Sequence, residues 1–117
     1  MIREHKFPDW SYCYVVRGAV QRGNNWCYKI GHTKSIKSRL LGLRSTFSSV
    51  VDPILVIEHK DANKIEKGLH KKFSAQRDRS YGASYPEEVF YLSIQDIEWI
   101  KETYKEFILD PEWYKTP

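Results

Sequence analysis

The stretch NWCYKIGHTKSIKSRLLGL, residues 25–43, decides how this chain is read. It begins as a strand-forming run with a lysine in its middle, and Gly31, His32 and Thr33 follow. Then come Ile36, Leu40 and Leu43, recurring at i, i+4 and i+7 among basic residues. The pattern predicts a strand, a tight turn at Gly31, and an amphipathic helix capped by Thr33 or Ser35. On the strand, Cys27, Lys29 and Gly31 share one face, while Trp26, Tyr28 and Ile30 share the other. With the aromatic face in the core, Lys29 stands on the opposite side of the sheet, beside a backbone bared at Gly31. A helix N-terminus opens next to that glycine, and its free N–H groups and dipole favour an anion. Lys29, His32, Lys34 and Arg39 all lie near that end.

Working outward, YCYVV (residues 12–16) reads as a partner strand, and RGAVQRGNN (residues 17–25) as a long hairpin loop. Which tyrosine of the first strand opposes Lys29 depends on the hairpin register. Downstream, PILVIEHK (residues 53–60) reads as a buried third strand. Asp61 caps a second helix with Ile65, Leu69 and Phe73 as its stripe and Lys64, Lys67 and Lys71 opposite. The segment QRDRSYGASYP is a polar loop, and EVFYLS is a short strand suited to an edge. Ser93 opens a third helix through a Ser-x-x-Asp capping box, with Ile97, Ile100, Tyr104 and Ile108 on its buried face. The order β-β-α-β-α-β-α implies an α+β fold, a small mixed sheet packed with helices. Residues 1–117 read as one domain, with its core at about 12–92 and a C-terminal helix and tail at 93–117.

Composition narrows the classes. With 29% charged and 41% hydrophobic residues, the chain has the balance of a globular domain rather than a disordered one. No segment is long and apolar enough to span a bilayer, and the N-terminus lacks a signal-like apolar run, so an intracellular protein is expected. Cys13 and Cys27 lack the number or spacing for a disulfide scaffold or a zinc site and read as small buried hydrophobes. A net charge of +4 and a pI near 9.0 lean towards polyanionic partners.

Helical wheels single out two charged residues. On the second helix, Glu66 falls about 20° beyond Phe73, at the rim of the apolar stripe, with His70 one turn further along its face. On the first, Arg39 falls about 40° from Leu43, again at a rim. Such residues either snorkel or pair as a partly buried salt bridge, or they form a functional pocket. A cationic pocket with one carboxylate and one phenol suits phosphodiester hydrolysis.

The ordered set YCY…YKIGHT…SRLLGL…IEKGLHKKF…EEVFYL resembles the GIY-YIG nuclease superfamily over about residues 12–92. It looks most like the phage-associated branch with K-I-G as its second motif. The resemblance implies a metal-dependent endonuclease that uses one Mg2+ or Mn2+ ion and cleaves DNA. Tyr14 takes the tyrosine of the first motif and Gly31 the glycine of the second. Arg39 matches the arginine that holds the scissile phosphate, and Glu66 the glutamate that binds the metal. Lys29 stands where the second motif has tyrosine; Tyr28 points to the opposite face and does not replace it. No residue matches the asparagine of the homing-enzyme branch, and Glu88 takes the acidic position of the K-I-G branch instead.

These assignments give a mechanism in outline. Tyrosine and lysine have reference pKa values of about 10 and 10.4, so an unshifted Lys29 is a fixed cation. A cation beside Tyr14 favours its phenolate as the base. Arg39 grips phosphate oxygens in its planar fork, and Glu66 holds the ion. His32, Lys34, Arg44 and His70 are further candidates for substrate contact. His32 reads equally as a turn residue and His70 as a packing residue. Two other readings remain: a DNA-binding module that uses Lys29, Lys34, Lys37 and Arg44 without hydrolysis, and a protein-interaction module that uses Trp99 or the tail with Trp113 and Tyr114. Tyr81 and Tyr85 read either as core residues or as platforms for bases.

Overall fold

The computed structural model describes residues 10–46, 52–78 and 89–111. Its framework is a hairpin of two long strands, β1 (Ser11–Arg22) and β2 (Asn25–Thr33). They meet through a two-residue turn in which Gly23 takes φ 60°, a conformation that costs glycine least. The stretch 17–25, read from sequence as a long loop, is therefore mostly strand. A register shift between Arg17 and Gln21 absorbs the irregularity around Gly18.

Strands β3 (Asp52–His59) and β4 (Val89–Leu92) complete a four-stranded sheet in the order β3-β1-β2-β4. The α+β class and the element order hold, and β4 is an edge strand. Every pairing is antiparallel, so the sheet is not mixed. The crossover from β2 does bring β3 back parallel to it, but β1 lies between the two.

Three helices cover the sheet: α1 (Ile36–Thr46), α2 (Ala62–Lys72) and α3 (Ile94–Thr103). Both faces are buried. On one, Ile36 and Leu40 of α1 pack with Tyr12, Tyr14, Val16 and Val56. On the other, Leu69 and Phe73, with Ile97 and Ile100 of α3, pack on Cys13, Val15, Tyr28 and Ile30. Each large apolar side chain so buried contributes about 1.5–3 kcal/mol. The aromatic face of β2 is core as expected, but Lys29's face is core too. The free cysteines Cys13 and Cys27 are buried.

Caps and ends follow local chemistry. Thr33 Oγ1 accepts from Ser35 N–H at 3.0 Å, and the Ser35 carbonyl accepts from Arg39 N–H at 3.0 Å. Asp61 precedes α2 as expected, but its side chain makes no capping bond; its carbonyl takes Lys64 and Ile65 N–H instead. Ser93 and Asp96 form the full capping box of α3. That helix stops at Thr103, short of the expected run to Ile108. The chain takes a 3-10 turn (Lys105–Phe107), and Leu109 N–H then donates to the Val56 carbonyl at 2.9 Å, against the outer edge of β3. Trp99 is 41% exposed on α3. Tyr81, Tyr85, Glu88, Trp113 and Tyr114 lie outside the described residues. No helix among the described residues is long and apolar enough to cross a membrane.

Gly31 is the tightest point of the hairpin. It pairs with Tyr14 across the ladder, and a Cβ there would collide with the Tyr14 hydroxyl and ring. By contrast, a Cβ on Gly68 of α2 meets nothing within 4 Å. Gly31→Ala is expected to destabilise the fold by about 1–3 kcal/mol through overpacking. Gly68→Ala is expected to stabilise it by about 1 kcal/mol through helix propensity. Urea unfolding of the two variants checks both signs, and a neutral Gly31→Ala would show that the tyrosine is not held against β2.

Candidate active site

The register of the hairpin settles which tyrosine stands by the lysine. Tyr14 faces Gly31 and Val16 faces Lys29, so Tyr12, Tyr14, Val16, Lys29 and Gly31 share the face under α1. The Lys29 ammonium lies 5.8 Å from the centre of the Tyr14 ring. Both side chains are only 1% exposed.

A buried lysine is unusual and must be accounted for. Burial pushes its pKa down to about 8; Arg39 pushes in the same direction, and Glu66 pushes it back up. The guanidinium and the carboxylate thus act on it in opposite senses, one opposing its charge and one supporting it. At pH 7 a group with this pKa is neutral in about one molecule in ten. Lys29 is thus titratable near neutrality rather than the fixed cation an unshifted lysine would be.

Glu66 reaches this group from α2, on the other side of the sheet. The route is visible in the pairing of β2. Among the described residues strand β4 accompanies β2 from Trp26 to Lys29. At the next residue, Ile30, His70 of α2 reaches the backbone, with Nε2 2.8 Å from the Ile30 carbonyl. Against a carbonyl this nitrogen must be the N–H donor. One turn before His70, Glu66 is carried to the same margin, where Lys29 on one face and Cys13 on the other both feel its charge. It is half-buried, as the wheel placed it, and makes no hydrogen bond or salt bridge among the described residues. Arg39 is exposed, further out than the rim position expected of it.

The structure thus brings together Tyr14, Lys29, Arg39 and Glu66, graded from interior to surface. The remaining candidates are placed elsewhere. His32 shares the face of Cys13, not that of Tyr14, and its Nε2 lies 2.9 Å from Ser11 Oγ. His70 is occupied at Ile30 and lies 5.1 Å from the Phe90 ring. Lys34 is exposed between β2 and α1. Arg44 is on α1, but its side chain is outside what is described.

Sequence reading missed Glu58. It pairs with Tyr12 across β1–β3, on the same face as Tyr14, and is fully buried. Burial, with help from Glu58, raises the Tyr12 hydroxyl to about 12. The alternation of PILVIEHK held the signal, since Glu58 shares a face with Val56.

Among the described residues no group of three or more His, Cys, Asp or Glu could hold a metal ion. Glu66 offers a half-buried carboxylate beside Lys29, without a hydrogen bond or salt bridge among the described residues. That donor set fits Mg2+ or Mn2+, hard ions that take one or two carboxylates and fill the rest of the shell with water and substrate phosphate.

The buried ammonium also sets a pH signature. The unfolded chain holds the lysine proton up to about pH 10.4, whereas the folded chain releases it near 8. Between those values the unfolded state binds more protons, so stability rises with pH. Wild type is expected to gain stability relative to Lys29→Met as the pH goes from about 8 to 10.4. Urea unfolding of both proteins at three pH values tests this; a difference that is flat or falls with pH contradicts it.

Comparison with known proteins adds the family. No curated protein and no solved structure matches the chain. The T5orf172 domain, a phage-associated domain of the GIY-YIG-like, nuclease-associated kind, matches residues 11–108, from the first residue of β1 to the segment that closes over β3. The chain belongs to the T5orf172 domain family.

Proposed function

We propose that the protein is a metal-dependent endonuclease that hydrolyses DNA phosphodiester bonds at the Tyr14, Lys29, Arg39 and Glu66 cluster. The observation that carries this reading is the buried Lys29, held between the charges of Arg39 and Glu66 beside a tyrosine. A transferring phosphoryl group calls for cations on its oxygens, a base for the water and an acid to hold a metal. The family, a phage-associated nuclease-like one, supports the same class of chemistry.

Each side chain has a part. Arg39, at the surface, meets the phosphate first and binds two of its oxygens through its planar fork. Tyr14 acts as the phenolate, its charge stabilised by the Lys29 ammonium, and takes the proton of the attacking water to become the neutral phenol while the hydroxide bonds to phosphorus. Glu66 holds the Mg2+ or Mn2+ ion, which when bound supplies positive charge to the phosphate and its leaving oxygen. Gly31 keeps the backbone of β2 low enough for the tyrosine to lie across it.

A second reading rests on one observation. Tyr14 and Lys29 are almost fully covered, which suits a nucleic-acid-binding module that does not cut. Supercoiled plasmid incubated with and without Mg2+ or Mn2+ separates the two. The endonuclease is expected to nick only with metal. Glu66→Ala is expected to reduce nicking to background while the protein stays folded, and Arg39→Lys to lose about a hundredfold or more, as for removal of a transition-state donor. Equal nicking by wild type and Glu66→Ala contradicts the endonuclease reading. Metal-independent binding without cleavage favours the second.

A further inference from the structure

Helix α2 and the segment from α3 into the turn after it both carry exposed lysines but handle them differently. At the end of α3 Lys101 lies 4.0 Å from Glu98, and in the 3-10 turn that follows Lys105 lies 3.2 Å from Glu102, so each is neutralised within a turn. On α2, Lys64, Lys67 and Lys71 are exposed, and none has an acid partner among the described residues. They are spaced i, i+3 and i+7, so like charges face one another along one stripe, an arrangement that disfavours the helix. The helix dipole offsets this for Lys71, in the last turn, but not for Lys64 in the first. Lys72 is apart, with its ammonium 4.0 Å from the Trp99 ring.

The stripe joins the candidate site without a break. Turning round α2 away from the core, one passes half-buried Glu66, then His70 and Asn63, then Lys67, Lys71 and Lys64. No apolar residue interrupts that sector. The three lysines span about 10 Å along the helix axis, roughly three phosphate steps of one duplex strand.

We infer that Lys64, Lys67 and Lys71 form a phosphate track that holds the nucleic-acid backbone beside the site at Glu66. The inference rests on the nucleic-acid reading of that site and adds a binding surface to it. Contacts of this kind carry no base information, so the track sets affinity and position rather than sequence choice. It also makes binding depend on salt, because each lysine that meets a phosphate releases a counterion.

The test is fluorescence anisotropy with duplex DNA of mixed sequence, in EDTA, over a range of salt concentrations. The triple variant Lys64→Gln, Lys67→Gln, Lys71→Gln is expected to bind about tenfold or more weakly at 0.1 M salt and to lose about two to three units of log–log salt slope. Lys101→Gln with Lys105→Gln is the control and is expected to leave the slope unchanged. An unchanged slope in the triple variant overturns the inference. So does an equal loss in the control pair, or equal binding of polyglutamate and DNA. Cleavage with added Mg2+ separates this from the reading beneath it. Wild type that binds through the stripe but never cuts overturns hydrolysis and keeps the track. Wild type that cuts while its binding ignores the stripe overturns the track and keeps hydrolysis.

Discussion

A lysine ammonium withdrawn from water inside a sheet-and-helix core is the constraint around which the rest of this molecule is arranged. Leaving it there costs free energy that apolar packing alone does not recover. The carboxylate of Glu66 supports its charge, and burial together with Arg39 opposes it. The outcome is a group poised near neutrality, beside the ring of Tyr14. Such a balance is costly for stability and useful for chemistry, the usual signature of a functional site.

Three local features make the balance possible. Gly31 lets Tyr14 lie across β2, because any larger residue would meet the ring. The turn at Thr33 and Ser35 starts α1 at a point that brings Arg39 one helical turn later. His70 of α2 bonds to the Ile30 carbonyl, and that bond sets α2 against the margin of β2. Glu66, one turn earlier on α2, arrives at the same margin. His70 is then a positioning residue whose contact with the protein explains its place without any contact with substrate.

Much of this was legible in the sequence. Helical periodicity placed Glu66 at a rim, and strand alternation put Lys29 and Gly31 on one face, because both depend only on local geometry. The capping box at Ser93 and Asp96 was legible for the same reason. The hairpin was misjudged: glycines in residues 17–25 read as a loop, while the bulged ladder absorbs them as strand. That Tyr14 rather than Tyr12 faces Gly31 depends on register, a non-local quantity. The covering of both sheet faces depends on where α1 docks, which no local pattern states. The end of α3 at Thr103 follows from the pull of Leu109 towards the β3 edge, again a tertiary contact. The buried Glu58 was hidden in an otherwise apolar strand.

Direct titration of the Lys29 ammonium by NMR, with labelled lysine side chains, addresses the central claim most closely. One lysine, Lys29, is expected to titrate near 8, well below the others. That value is expected to fall further in Glu66→Gln and to rise in Arg39→Gln, since the two neighbours push in opposite directions. If Lys29 titrates with the surface lysines and ignores both substitutions, the four side chains do not share a site, and the chemistry assigned to them here is wrong.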